Sequence, residues 1–94
     1  MFDSRMIEYI LTIAEEQSLT RAAERLYITQ SALSQQLSKL QKQGLPPLFE
    51  YKEGKMLPTD AGKIYLNGAR TVMSLKAQCE RELAALPKQS EKAP

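Results

Sequence analysis

Between Thr29 and Gln43 the chain gathers Thr29, Gln30, Ser31, Ser34, Gln35 and Gln36 and contains no Asp or Glu. Gln can make a paired contact with the edge of adenine, and Ser can meet either a base or a phosphate. A face without carboxylates also does not repel a polyanion. Ser18, Thr20 and Arg21 precede or open a short Ala-rich segment, and a helix N-terminus is a natural phosphate site. Lys52 and Lys55 bracket a Gly-containing turn, from which they can reach a nucleic-acid backbone or a minor groove. Lys39 and Lys42 lie farther along and suit solvent or peripheral phosphate contacts. The chemistry on offer is hydrogen-bonded reading of a double helix by Gln30, Ser31, Ser34 and Gln35, with Ser18, Thr20, Arg21, Thr29, Lys52 and Lys55 on its backbone.

Other chemistry is poorly served. The chain has no His and one Cys, Cys79, which argues against a zinc site and against His-based acid–base catalysis. No nucleophile–base set can be assembled, so no catalysis, cofactor or metal is expected. Cys79 cannot form an internal disulfide and suits a reducing compartment. The 94 residues allow one domain. At 43% apolar and 26% charged, the composition is that of a folded protein. No apolar run approaches the ~20 residues of a membrane span. Early acids and Thr12 make the N-terminus unlike a signal peptide. The formal charge of +2 hides an asymmetry. Asp3, Glu8, Glu15 and Glu16 outweigh Arg5 at the front, whereas Arg21, Arg25, Lys39 and Lys42 outweigh Glu24 in the middle. Such a dipolar arrangement can orient the molecule on a polyanion.

The elements that must hold these residues follow from apolar spacing. Ile7, Ile10, Leu11 and Ala14 predict a helix over 4–16, capped by Asp3 or Ser4. Ser18 caps a second helix over 19–26, whose small Ala22 and Ala23 allow close approach. Tyr27 and Ile28 make a brief connection. Thr29 then caps a helix over 30–43 with a narrow Leu33, Leu37, Leu40 stripe, stopped by Gly44 and Pro46-Pro47. Two short β-prone pieces over 48–57, joined at Gly54, predict a hairpin. Thr59 caps a long last helix over 60–86, where Asp60 suits the first turn. Ala61, Ile64 and Leu66 are expected to pack on the preceding elements. Tyr65, Ala69, Val72, Lys76, Cys79, Leu83 and Leu86 form a heptad-like seam, which is expected to pair with a second copy. The resulting class is mainly α, a winged helix-turn-helix of three helices and a two-stranded wing over 1–59. A dimerisation helix follows over 60–86, and then a polar tail over 87–94 that is expected to be disordered.

At this level of detail the chain resembles the N-terminal domain of LysR-type transcriptional regulators. The resemblance rests on Arg21-Ala22-Ala23-Glu24-Arg25-Leu26 followed by Thr29-Gln30-Ser31-Ala32-Leu33-Ser34-Gln35-Gln36-Leu37 and Leu40. Ala14 to Thr20, Leu48-Phe49-Glu50 and Thr59-Asp60-Ala61-Gly62 extend it to roughly residues 5–86. It departs at Gln35 and Tyr51, where the family usually has Arg. It departs again at Gly44-Leu45, which is inverted and followed by Pro46-Pro47, and at Pro58, where Leu is usual. The resemblance implies operator DNA as partner, transcription regulation, and a bacterial cytoplasmic, nucleoid-associated setting. It also implies an antiparallel homodimer through the last helix, and an effector-binding domain that this chain does not contain. The rival reading is a winged-helix protein-interaction module with weak or no DNA binding. The two absent arginines favour that rival, and the acid-free face argues against it.

Overall fold

Each helix begins on a side-chain oxygen. In a computed structural model of the chain, described here over residues 1–88, Asp3 accepts from the Met6 N–H and Ser18 from the Arg21 N–H. Thr29 accepts from Ala32 and Thr59 from Gly62 in the same way. These caps start α1 (Ser4–Glu16), α2 (Leu19–Leu26), α3 (Gln30–Lys42) and α4 (Asp60–Ala84). Of the two candidates at the front, Asp3 is the cap. The strands β1 (Phe49–Lys52) and β2 (Lys55–Pro58) stand between α3 and α4.

The helix ends set the turns. At Gly44, with φ +98°, the backbone reverses after α3. The N–H groups of Gly44 and Leu45 return to the carbonyls of Gln41 and Leu40, which closes the helix with a paired cap. The connection from α2 to α3 uses the same pattern without glycine. Tyr27 takes φ +59°, and the N–H groups of Tyr27 and Ile28 bond the carbonyls of Glu24 and Ala23.

Ile7, Ile10, Ile13, Leu33 and Leu40 are fully buried at the centre. Ala22 and Ala23 are buried too, so α2 lies close against its neighbours. The strands pair antiparallel from Phe49↔Pro58 to Lys52↔Lys55. Glu53 and Gly54, the two residues between them, have φ +52° and +79°. That pair of positive angles belongs to the tight turn whose twist matches a hairpin. The hairpin is marginal alone, and it is fastened by the Met56 N–H, which donates to the Gln17 carbonyl at 2.9 Å.

Helix α4 has two parts. Its start is docked: the Thr59 N–H donates to the Leu48 carbonyl at 3.0 Å, and Leu66 is buried. A Cβ at Gly62 would collide with that same Leu48 carbonyl, so only glycine allows the approach. From Gln78 onward every described residue is exposed. The protruding helix gives the molecule its 58 × 26 × 23 Å outline.

The expected faces of α4 need correction. The heptad spacing puts Tyr65, Ala69 and Val72 in the dimer seam, but Tyr65 and Ala69 are 3% and 0% exposed and belong to the chain's own core, and Val72 is half-buried against it. The spacing puts Ile64 in that core, but it is 74% exposed. The helix turns by ~100° per residue, so the adjacent Ile64 and Tyr65 point well apart, one to solvent and one to the core. Lys76 pairs within its own helix, 3.8 Å from Glu80. The helix ends at Ala84, two residues short of the expected limit. Of the expected disordered tail, residues 89–94 lie outside the described residues.

Candidate nucleic-acid interface

The polar face of α3 is where the spacing placed it. Leu33 and Leu40 anchor the helix inward, while Gln30, Ser31 and Gln35 are exposed and Ser34 is half-buried. Thr29 spends its side-chain oxygen as the cap at 3.0 Å. The first backbone N–H groups of α3 have no carbonyl within the helix to meet, so they and the helix dipole face outward with the Gln and Ser side chains.

Helix α2 joins this face through one contact. The Thr20 hydroxyl donates to Oε1 of Gln30 at 3.1 Å. The bond occupies the oxygen of Gln30 and leaves its amide N–H groups outward. Beside Thr20, Arg21 is exposed and forms no ion pair among the described residues. Ser18 accepts from the Arg21 backbone N–H at 3.1 Å and keeps its own hydroxyl proton for another acceptor.

Arg25 differs from Arg21. Its Nη1 lies 2.7 Å from Glu15 and 3.2 Å from Glu16. Hydrogen bonds to Glu15 and then Glu16 raise its pKa further above the ordinary arginine value. Its charge is answered within the protein, on the acidic α1 side. Arg21 on α2, Lys39 and Lys42 on α3, and Lys52 and Lys55 on the wing form no ion pair among the described residues, and neither do Arg5, Lys63 and Arg70.

On the wing, Lys52 and Lys55 face each other across the last pair of the hairpin, with the acid Glu53 in the turn between them. Like charges placed opposite each other repel, and a bound anion relieves that repulsion. Lys55 adjoins Met56, which bonds Gln17, which adjoins Ser18. One junction therefore carries both the wing and the N-terminus of α2. Tyr51 stands on the opposite face of the hairpin from the lysines. It shares that face with the buried Phe49 and Met56 but is itself exposed at the tip.

The structure thus joins Thr20 to Gln30 and the wing to the α2 junction. It leaves Lys39 and Lys42 in the last turn of α3, away from that helix's N-terminus. Two relationships are invisible to spacing arguments: the Thr20–Gln30 bond and the Met56–Gln17 bond. Both are tertiary, and neither has a local sequence signal. Among the described residues no group of acids, Cys or His could hold a metal, and no helix is long and apolar enough to cross a membrane.

A capped helix pair with a polar second helix, a short wing and a long trailing helix defines a winged helix-turn-helix domain. The family model described as "Bacterial regulatory helix-turn-helix protein, lysR family" matches residues 4–63, and the chain belongs to that family. It is 39% identical over 80 residues to the HTH-type transcriptional regulator MetR of Haemophilus influenzae, covering 85% of this chain and 26% of that protein. It is also 39% identical over 82 residues to the nitrogen assimilation regulatory protein nac of Klebsiella aerogenes, again 26% of that protein and 87% of this one. The chain therefore spans about a quarter of the length of these relatives. The fold matches the BenM_DBD/benA site 1 DNA complex with TM-score 0.75 and 28% identity, over 88% of this chain and 97% of that one. A LysR-family transcriptional regulator from Eggerthella lenta, 38% identical, matches with TM-score 0.62 over 77% of this chain and 97% of that one.

Proposed function

We propose that this chain binds double-stranded DNA as the reading domain of a LysR-type transcriptional regulator and that two copies pair through α4. The observation that carries the reading is the outward, acid-free face of α3 at Gln30, Ser31, Ser34 and Gln35, with Arg21 on α2 and the Lys52–Lys55 pair on the wing outside any ion pair among the described residues. The likeness to a DNA-bound domain of the same shape supports it. Gln30, Ser31, Ser34 and Gln35 enter the major groove. Ser18, Arg21 and Thr29 hold one stretch of backbone, and Lys52 and Lys55 another, while Thr20 acts through Gln30, to which its hydroxyl proton is given. The protein works on the nucleoid in the bacterial cytoplasm and catalyses no reaction.

Pairing rests on the protruding half of α4 and the residues just after it, where Leu75, Cys79, Leu83 and Leu86 are exposed and no other described residue of the chain covers them. Each methylene-sized group left in water forgoes roughly 0.8 kcal/mol. Light scattering at micromolar concentration should give a dimer, and Leu83→Asp should give a folded monomer with much weaker operator binding. A wild-type monomer would refute the pairing.

Binding to a DNA site selected from a random pool, followed by anisotropy, tests the reading domain. Affinity should fall steeply with salt. Arg21→Ala should weaken cognate and random DNA alike and lower the salt slope by about one unit. Gln35→Ala should cost ~1–3 kcal/mol on the selected site and little on random DNA. Binding that is absent, or indifferent to salt, would instead favour a protein partner for the same face.

A further inference from the structure

We infer that Thr20 fixes what Gln30 can read: the bond between them leaves Gln30 only hydrogen-bond donors, and it assigns Gln30 the acceptor edge of guanine instead of the mixed edge of adenine. This rests on the placing of Gln30 in the major groove proposed above and adds the chemistry of the base it meets. Thr20 is then a positioning residue for base choice.

A glutamine amide carries a carbonyl oxygen and an NH2 group in one plane. Its pairing with adenine uses both, the oxygen accepting from N6 and the nitrogen donating to N7. Gln30 does not have both to offer. Its Oε1 already accepts the Thr20 hydroxyl at 3.1 Å. Because the amide is planar, a carbonyl turned back toward α2 sends the NH2 group the other way, into the open.

The backbone at the same spot offers donors as well. Gln30 is the first residue of α3. Thr29 takes the N–H of Ala32 on its side-chain oxygen and the N–H of Leu33 on its carbonyl. The N–H groups of Gln30 and Ser31 precede the first turn's internal bonds and are left over, at the positive end of the helix dipole. This end of α3 therefore calls for acceptors. Guanine is the base with two of them, N7 and O6, on its major-groove edge. Adenine sets an amino group beside its N7, and cytosine offers an amino group. A donor amide that fits guanine thus meets a second donor on adenine. Gln35 is the contrast on the same face. It is exposed, and its amide bonds nothing among the described residues, so the paired contact with adenine stays open to it.

Single-base variants of a DNA site selected from a random pool, read by anisotropy with the full chain, test the assignment. Gln30→Ala marks the base pair that Gln30 reads, as the position where the wild-type preference disappears. Wild type should favour guanine there over adenine by about tenfold. Thr20→Val frees the amide to turn its oxygen outward, and the guanine-to-adenine ratio should fall several-fold. Thr20→Ser keeps the hydroxyl and should restore the ratio. Gln30→Glu, which only accepts, should move the preference at that position to cytosine. The ratio is taken within each variant, so a general loss of affinity or stability cancels. A wild-type preference for any other base at that position overturns the assignment, and so does a guanine preference that Thr20→Val leaves intact. A loss with Gln30→Ala that is equal on every DNA variant puts Gln30 on a phosphate and also overturns it. Failure of the wild-type chain to bind any DNA refutes the reading domain itself, so the two failures are distinguishable.

Discussion

The Thr20 hydroxyl holds the amide of Gln30 across the gap between α2 and α3, donating to Oε1 at 3.1 Å. The bond spans ten residues and joins the two helix N-termini that face outward together. It acts on orientation more than on stability, because both groups are exposed. An exposed neutral hydrogen bond adds little against the water that replaces it.

Thr20→Val should accordingly leave the urea midpoint almost unchanged, within about 0.5 kcal/mol. It should lower affinity for a selected DNA site several-fold by freeing Gln30 to rotate. Thr20→Ser keeps the hydroxyl and should restore affinity. If Thr20→Val and Thr20→Ser bind alike, Gln30 is not oriented by this bond.

Gly62 sits where α4 passes under the wing, and a methyl group there would lie on the Leu48 carbonyl. That carbonyl already accepts the Thr59 N–H, and the Thr59 hydroxyl donates to the Pro47 carbonyl at 2.7 Å. The loop cannot withdraw without breaking these bonds. Gly62→Ala should therefore cost about 3 kcal/mol in urea unfolding, near the upper end for overpacked sites. An unchanged midpoint would mean that the loop can shift. Gly68→Ala is a useful contrast, since it meets only the edge of the Phe2 ring, which can swing aside.

Capping was the part of the fold most legible in the sequence. Ser18, Thr29 and Thr59 each start the helix that follows them, because an N-cap is a bond between residues three apart and needs no tertiary knowledge. The exposure of Gln30, Ser31 and Gln35 followed from the opposed Leu33 and Leu40. The phase of α4 was not legible. Its first turns are apolar on two sides, with Tyr65, Leu66 and Ala69 toward the core and Ile64 away from it. Periodicity alone does not tell the inward stripe from the outward one, and the heptad template joined parts of both. Nor did any local pattern disclose the Met56–Gln17 bond, which depends on how the hairpin folds back.

The turn between α2 and α3 carries avoidable strain. Tyr27 takes a left-handed conformation with φ +59°, and its side chain is 94% exposed, so it gains almost nothing from burial. Such a conformation costs an ordinary residue about 1 kcal/mol more than glycine. Tyr27→Gly should raise stability by up to about 0.5 kcal/mol, the greater freedom of glycine in the unfolded chain offsetting much of the gain. Thermal unfolding checks this. A lower midpoint for Tyr27→Gly would show that the tyrosine makes a stabilising contact after all.

Tyr65 makes the fold sensitive to alkali. Its hydroxyl donates to the Met1 carbonyl at 2.6 Å, and its pKa is pushed up to about 12 from the usual 10, first by burial and then by the negative charge of Asp3. The folded state therefore keeps this proton at a pH where the unfolded chain has lost it. Unfolding then releases a proton, and stability falls as pH rises. The contribution is complete below about pH 10 and is lost between about pH 10 and pH 12. Tyr65→Phe removes both the hydrogen bond and the proton, so at neutral pH it should be less stable by about 1 kcal/mol. The gap between the two proteins should then narrow as pH rises, because only wild type loses stability through this group. Urea midpoints of both proteins between about pH 9 and about pH 11.5 decide the matter. A gap that stays constant over that range would mean that Tyr65 ionises as easily in the folded protein as in the unfolded chain.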